Sequence, residues 1–290
     1  MTETTEYRGA SQDAIQHHYD FGNSFYELWL DEGLVYSCAM FEDGDTLEQA
    51  QVRKIDYLLE SGRAGESERI LDIGCGWGSL MRAALDRYGV SHATGITLSS
   101  QQYDYIKGRP DDRIDVRLES WVDHHPEKSY DAIFCVGAME HFVRFGSSRQ
   151  EKTAAYRQFF EHCYKILKPG GRLVVQTIAK GNRPIDQAVI ADNAFLWAEI
   201  FPESDMPRFA EVAHAAEKLF EVRSVVNGRE DYAKTCREWL ERLRANRDKA
   251  VEVVGEKSVH TYERYLDVSA GQFDNEHLVL LRFAFRRVPE

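Results

Sequence analysis

From about residue 69 onward, short apolar runs alternate with amphipathic stretches, which is how a doubly wound α/β sheet with parallel strands and crossover helices reads in sequence. The pattern predicts strands over 69–73, 93–98, 114–118, 131–136 and 172–178, with helices over 77–88, 99–107 and 148–167. Lys168-Pro169-Gly170-Gly171 reads as a helix stop, because Pro cannot continue a helix and Gly accepts the left-handed turn that closes one. Two segments fall outside the alternation. Residues 11–60 read as helices rich in aromatics (Tyr19, Phe21, Phe25, Tyr26, Trp29, Tyr36, Phe41), so 1–60 is expected as an N-terminal helical cap on a single core over 61–290. Residues 180–216, punctuated by Pro184, Pro202 and Pro207, read as an inserted lid. Beyond them, strands are expected over 220–226 and 277–285, separated by long charged helices over 232–273. The run 278–285 is apolar enough for a central strand buried on both faces.

Composition narrows the function. With 43% apolar residues in 290, the chain supports a sizeable core. Its net charge of −12 repels phosphate backbones and anionic bilayers, so neither a nucleic-acid partner nor stable membrane insertion is expected. No apolar run approaches the roughly 20 residues of a membrane span. Cys38, Cys75, Cys135, Cys163 and Cys236 are widely spaced and form no C-x-x-C pair, which suits a reducing cytoplasm and gives no metal site.

The chemistry begins at Ile70-Leu71-Asp72-Ile73-Gly74-Cys75-Gly76-Trp77-Gly78, where a predicted strand ends beside an acid and the next turn carries glycine at every second position. Glycines admit a ligand close to the backbone, and amides opening the following helix meet its polar groups. A dinucleotide fingerprint would read G-x-G-x-x-G. The tighter G-x-G-x-G after Asp72 favours a nucleoside without a pyrophosphate, S-adenosylmethionine (SAM). Many nucleoside sites use an acid after the second strand to hold the ribose; here Thr97 and Gln102 take that place. After the third strand, Trp121 offers an indole to stack on adenine.

Eight segments carry a family resemblance: His18-Tyr19-Asp20, Tyr36-Ser37-Cys38-Ala39-Met40-Phe41, Leu47-Glu48-Gln49-Ala50-Gln51, the glycine turn, Thr97-Leu98-Ser99, Gly137-Ala138-Met139-Glu140-His141-Phe142, Ile200-Phe201-Pro202 and Asp231-Tyr232-Ala233-Lys234-Thr235. In this order they resemble the cyclopropane fatty-acid and mycolic-acid cyclopropane synthases, over about residues 15–275. The resemblance implies a Rossmann-like class I methyltransferase. It also implies SAM contacts from Tyr36, Ser37, Asp72, Gly74, Gly76, Thr97, Leu98, Gln102 and Trp121, while Val122 departs from the acid common beside adenine.

The resembled reaction methylates an alkene, a weak nucleophile, and passes through a carbocation that must lose a proton. The family holds a bicarbonate as base; carried across by position, its site becomes Cys38, Glu140, Gln176, Ile178 and Tyr232. Gln176 departs from the family histidine, since a carboxamide neither carries positive charge nor relays a proton. Glu140 is then expected to serve as base directly, or through a water or anion that it holds. The expected activity is methyl or methylene transfer to an alkene carbon of a lipid or lipophilic small molecule. N- or O-methylation of a natural product, such as a small amine, stays open, because plant benzylisoquinoline N-methyltransferases resemble the same broad family.

Overall fold

The computed structural model describes Gly9, Ser11 and residues 21–289; the His18-Tyr19-Asp20 motif lies outside them. The alternating pattern becomes seven strands: β1 (Arg69–Ile73), β2 (His92–Thr97), β3 (Ile114–Leu118), β4 (Tyr130–Val136), β5 (Leu167–Lys180), β6 (Phe220–Asn227) and β7 (Leu278–Arg287). They form one sheet in the order β3-β2-β1-β4-β5-β7-β6, parallel as far as β5. β7 is inserted antiparallel between β5 and β6, the interior place its apolar run predicts. The strand order reverses between β1 and β4, the crevice where open α/β sheets bind ligands beyond their carboxyl ends.

Among the described residues, helices α1 (Asn23–Tyr26), α2 (Leu47–Ser61), α3 (Ser79–Tyr88), α4 (Ser100–Lys107) and α5 (Arg149–Ile166) come first. They are followed by α6 (Gln187–Glu199), α7 (Phe209–Ala216), α8 (Arg229–Ala245), α9 (Arg247–Val254) and α10 (Glu256–Asp274). Local chemistry sets several boundaries. Thr46 and Gln49 close a capping box on α2, Ser148 and Glu151 do the same for α5, and Ser99 accepts the Gln102 amide at the start of α4.

Two expectations change. The Lys168–Gly171 segment does end a helix, but the chain enters β5 already at Leu167, and a register shift between Tyr130 and Ala132 accommodates the added residues. The cap is also less helical than its aromatics suggest, with no helix between Tyr26 and Leu47. There the Asp31 carboxylate binds the amides of Gly33 and Val35 at 2.9 and 3.0 Å, and Leu34 adopts a φ of 52°. Those bonds offer the backbone an alternative to the helix ladder.

The aromatics instead build a core of their own. Phe25, Tyr26 and Trp29 are fully buried against Trp239 and Tyr262 of α8 and α10. Phe25 meets Tyr262 edge-on at 5.0 Å and Trp29 meets Trp239 at 5.7 Å, the offset geometry that aromatic quadrupoles favour. Two further cores cover the faces of the sheet, one including α5 and α7 residues and the other including α2, α3 and α4 residues. The ligand crevice therefore lies between the sheet edge and an aromatic block.

Candidate active site

At the carboxyl end of β1 the backbone turns through Gly74, Gly76 and Gly78 with φ of 74°, 54° and 88°, values that an L side chain rarely adopts. Nothing lies within 4 Å of where a Gly76 side chain would begin, so the turn leaves an open cradle. All nine sequence-assigned cofactor residues, Tyr36, Ser37, Asp72, Gly74, Gly76, Thr97, Leu98, Gln102 and Trp121, line one cavity over this turn.

Its polar groups are directed. The Ser99 amide donates to Thr97 Oγ1 at 3.2 Å, and the Thr97 hydroxyl donates to Gln102 Oε1 at 2.8 Å. The Gln102 carboxamide is thereby left to present N–H donors, which suit ribose oxygens in place of the usual carboxylate. Trp121 lines the cavity while packing on Phe142 and Phe159 at 5.3 and 5.5 Å. Val122 is buried in the same core and is absent from the cavity wall. The acid on this side is Glu119, whose Oε1 lies 2.6 Å from His124 Nδ1, with His124 Nε2 in turn 2.9 Å from the Tyr130 hydroxyl. Burial raises the Asp72 pKa to about 7, against the attraction of Lys54.

A second cavity adjoins the first and shares Tyr36, Ser37, Gly137 and His141 with it. Glu140, Gln176, Ile178 and Tyr232 line it, together with Phe201, Tyr265, Phe273 and several aliphatic side chains. Among the described residues Glu140 is the one carboxylate in this wall. It sits in a 3-10 turn, Met139–His141, that follows β4, and its residue is only 7% exposed. The Ile178 amide donates to Glu140 Oε1 at 2.6 Å, while Oε2 has no hydrogen-bond partner among the described residues. Burial raises its pKa to about 7 despite that bond. His141 Nδ1 lies 2.7 Å from Ser204 Oγ, and burial lowers the imidazole pKa to about 4, which leaves it neutral.

Behind the second cavity stands Arg282, in the middle of β7 and 1% exposed. Its Nε donates to Gln176 Oε1 at 2.8 Å and its Nη2 to the Ala39 carbonyl at 2.8 Å, while Nη1 lies 3.7 Å from Asp231 Oδ2. A guanidinium only donates, so the Gln176 oxygen is engaged and the carboxamide offers the cavity donors alone. Cys38 lies on the far side of this wall, with Sγ 3.3 Å from Arg282 Nη2, and does not line the cavity. Burial pushes its thiol pKa up to about 12, so no thiolate chemistry arises there.

Lys54, Glu119 and Arg282 also belong to the site and are absent from the residues expected on sequence. Two of them carried a signal. Lys54 falls on the buried stripe of α2 with Leu47, Ala50, Gln51 and Leu58, and Arg282 interrupts an otherwise apolar strand.

A family model described as mycolic acid cyclopropane synthetase matches residues 7–283. Cyclopropane mycolic acid synthase 2 of Mycobacterium leprae is 33% identical over 290 residues, covering 93% of this chain and 92% of the relative. The structure of the cyclopropane synthase MmaA2 from Mycobacterium tuberculosis superimposes with a TM-score of 0.88 at 30% identity, covering 96% of this chain and 99% of that one. Mycolic acid cyclopropane synthase CmaA1 complexed with SAH and CTAB also gives a TM-score of 0.88, at 28% identity and the same coverage.

Proposed function

Because the chain belongs to the mycolic acid cyclopropane synthetase family of SAM-dependent methyltransferases, we propose that it methylates an alkene carbon of a lipophilic acceptor and that Glu140 removes the proton. The alkene π electrons form a bond to the methyl carbon as its bond to sulfur breaks, which leaves a carbocation and S-adenosylhomocysteine. Glu140 then takes a proton from the cation, closing a cyclopropane or leaving a methyl or methylene branch.

One observation carries this reading: a buried carboxylate, one oxygen of which has no hydrogen-bond partner among the described residues, set in a largely apolar cavity beside the cofactor cavity. The raised pKa makes Glu140 a stronger base than a solvated carboxylate. The rings of Tyr36, Phe201, Tyr232 and Tyr265 supply neutral faces for a transient cation. Gln176 has its oxygen occupied by Arg282, so it is suited to donating to an anion or water beside Glu140 and not to accepting the proton. A resident bicarbonate would find Gln176 donors and the Ile178 amide there, although that amide is already spent on Glu140.

Two of the relatives named above are mycolic acid cyclopropane synthases, which favours a long apolar acceptor. The −12 charge favours a diffusible one over a chain embedded in an anionic bilayer, and none of the described helices is long and apolar enough to cross a membrane. A second reading, N-methylation of a small amine, draws on the same Glu140 carboxylate, which would attract an ammonium group.

An acceptor panel separates the two. Incubated with SAM, the purified chain is expected to release S-adenosylhomocysteine with unsaturated acyl chains or isoprenoid alkenes and not with their saturated counterparts. Release confined to amines would replace the first reading by the second.

A further inference from the structure

We propose that Lys54 is a cofactor-binding residue whose ammonium group receives the carboxylate of the methionyl half of SAM. The inference rests on the cofactor and is independent of which acceptor is methylated.

Lys54 projects from α2 into the wall of the cofactor cavity and is 2% exposed. Its Nζ donates to Ser37 Oγ at 2.8 Å, its one hydrogen bond among the described residues, although an ammonium carries three donors. Asp31 and Asp72 are near enough to attract it, yet neither pairs with it directly. Asp31 instead spends its oxygens on the Gly33 and Val35 amides. Burial lowers the lysine pKa to about 8, which expresses the cost of holding a charge with so little compensation. An anion delivered to this point would offset that cost.

Charge matching then identifies the anion. SAM carries a sulfonium and an ammonium, both positive, and a single negative group, its carboxylate. Among the described residues the cavity wall holds the acids Asp72 and Glu119, a neutral His141, and no lysine or arginine besides Lys54. Among the described residues the carboxylate therefore has one cationic partner available, and the acids remain for the positive groups. Ser37 fits the same role, because accepting from Lys54 leaves its own hydroxyl proton available to the carboxylate.

Calorimetric titration of the full chain with two ligands tests this without any acceptor. SAM is one; the other is decarboxylated SAM, S-adenosyl-3-methylthiopropylamine, which lacks only the carboxylate. Lys54→Met is expected to weaken SAM binding by about 10- to 100-fold and to change binding of the decarboxylated ligand by less than about twofold. A purely structural role would weaken both alike; that result, or no effect on either, overturns the proposal. Should Lys54→Met fail to fold, the unsubstituted chain decides: it is expected to prefer SAM by at least about tenfold, and a smaller preference overturns the assignment. No SAM binding by the unsubstituted chain would remove the cofactor itself, an outcome distinct from failure of the lysine assignment.

Discussion

Glu140→Gln is expected to lower kcat by about 10²- to 10⁴-fold while leaving SAM affinity within about twofold, since a general base acts on the chemical step. Gln keeps the shape and can still accept the Ile178 amide, so the loss isolates the proton acceptor from the hydrogen bond that positions it. Two pH signatures accompany it. In the unsubstituted protein kcat should rise with pH through about 7, because the ionised carboxylate is the active form and burial has raised its pKa to that value. Stability should move the other way. A carboxyl whose folded pKa lies above its unfolded value favours the fold below the unfolded pKa and loses that contribution as pH rises through about 7. Glu140→Gln should therefore unfold at higher denaturant than the parent at pH 8, by on the order of 1–3 kcal/mol, with the difference gone by about pH 4. Stopped-flow or quenched turnover and denaturant melts across pH measure both; an unchanged kcat in the Gln variant would remove Glu140 from the reaction.

Arg282→Met should be the most damaging single change away from the cofactor. The guanidinium is almost fully buried and bonds the Gln176 oxygen and the Ala39 carbonyl. Met fills a similar volume but leaves both acceptors unsatisfied, each at about 1–3 kcal/mol, so a loss of about 3 kcal/mol in urea unfolding is expected. Arg282→Lys should recover only part of it, because an ammonium cannot reproduce the fork that spans Gln176 and Ala39 at once. Where folding permits assay, kcat should fall in both variants, since the freed Gln176 carboxamide can turn its oxygen to the cavity. Stability within about 0.5 kcal/mol of the parent in Arg282→Met would show that the guanidinium holds nothing in place.

What was legible in the chain was mostly local. The strands and crossover helices follow from periodicity, and the turn at Gly74, Gly76 and Gly78 is a contiguous motif whose positive φ values only glycine supplies easily. Glu140 is readable because it directly follows a strand that ends at the ligand edge. The lysine on α2 and the arginine in β7 are different: each acquires meaning from a partner outside its own element. Lys54 meets Ser37 and Arg282 meets Gln176 across 106 positions, and no pattern within one element names those partners. The stretch before α2 failed for another reason. Its aromatic spacing suits a helix, but Asp31 and Gly33 close local bonds that win over helix propensity, and the aromatics reach the core from an irregular backbone. Cys38, expected beside Gln176 and Tyr232, shares the Arg282 guanidinium with Gln176 and does not line the cavity.

The central claim is that a methyl group reaches carbon and that the product then gives up a proton. It is tested most directly by turnover of an unsaturated acyl or isoprenoid acceptor with SAM carrying a trideuteromethyl group, followed by mass and NMR analysis of the product. Label is expected on a former alkene carbon, with one hydrogen isotope lost from the cationic adduct: two deuteriums retained for a cyclopropane or methylene product, three for a methyl branch whose proton left a neighbouring carbon. Label found only on nitrogen or oxygen, with the alkene untouched, would contradict it.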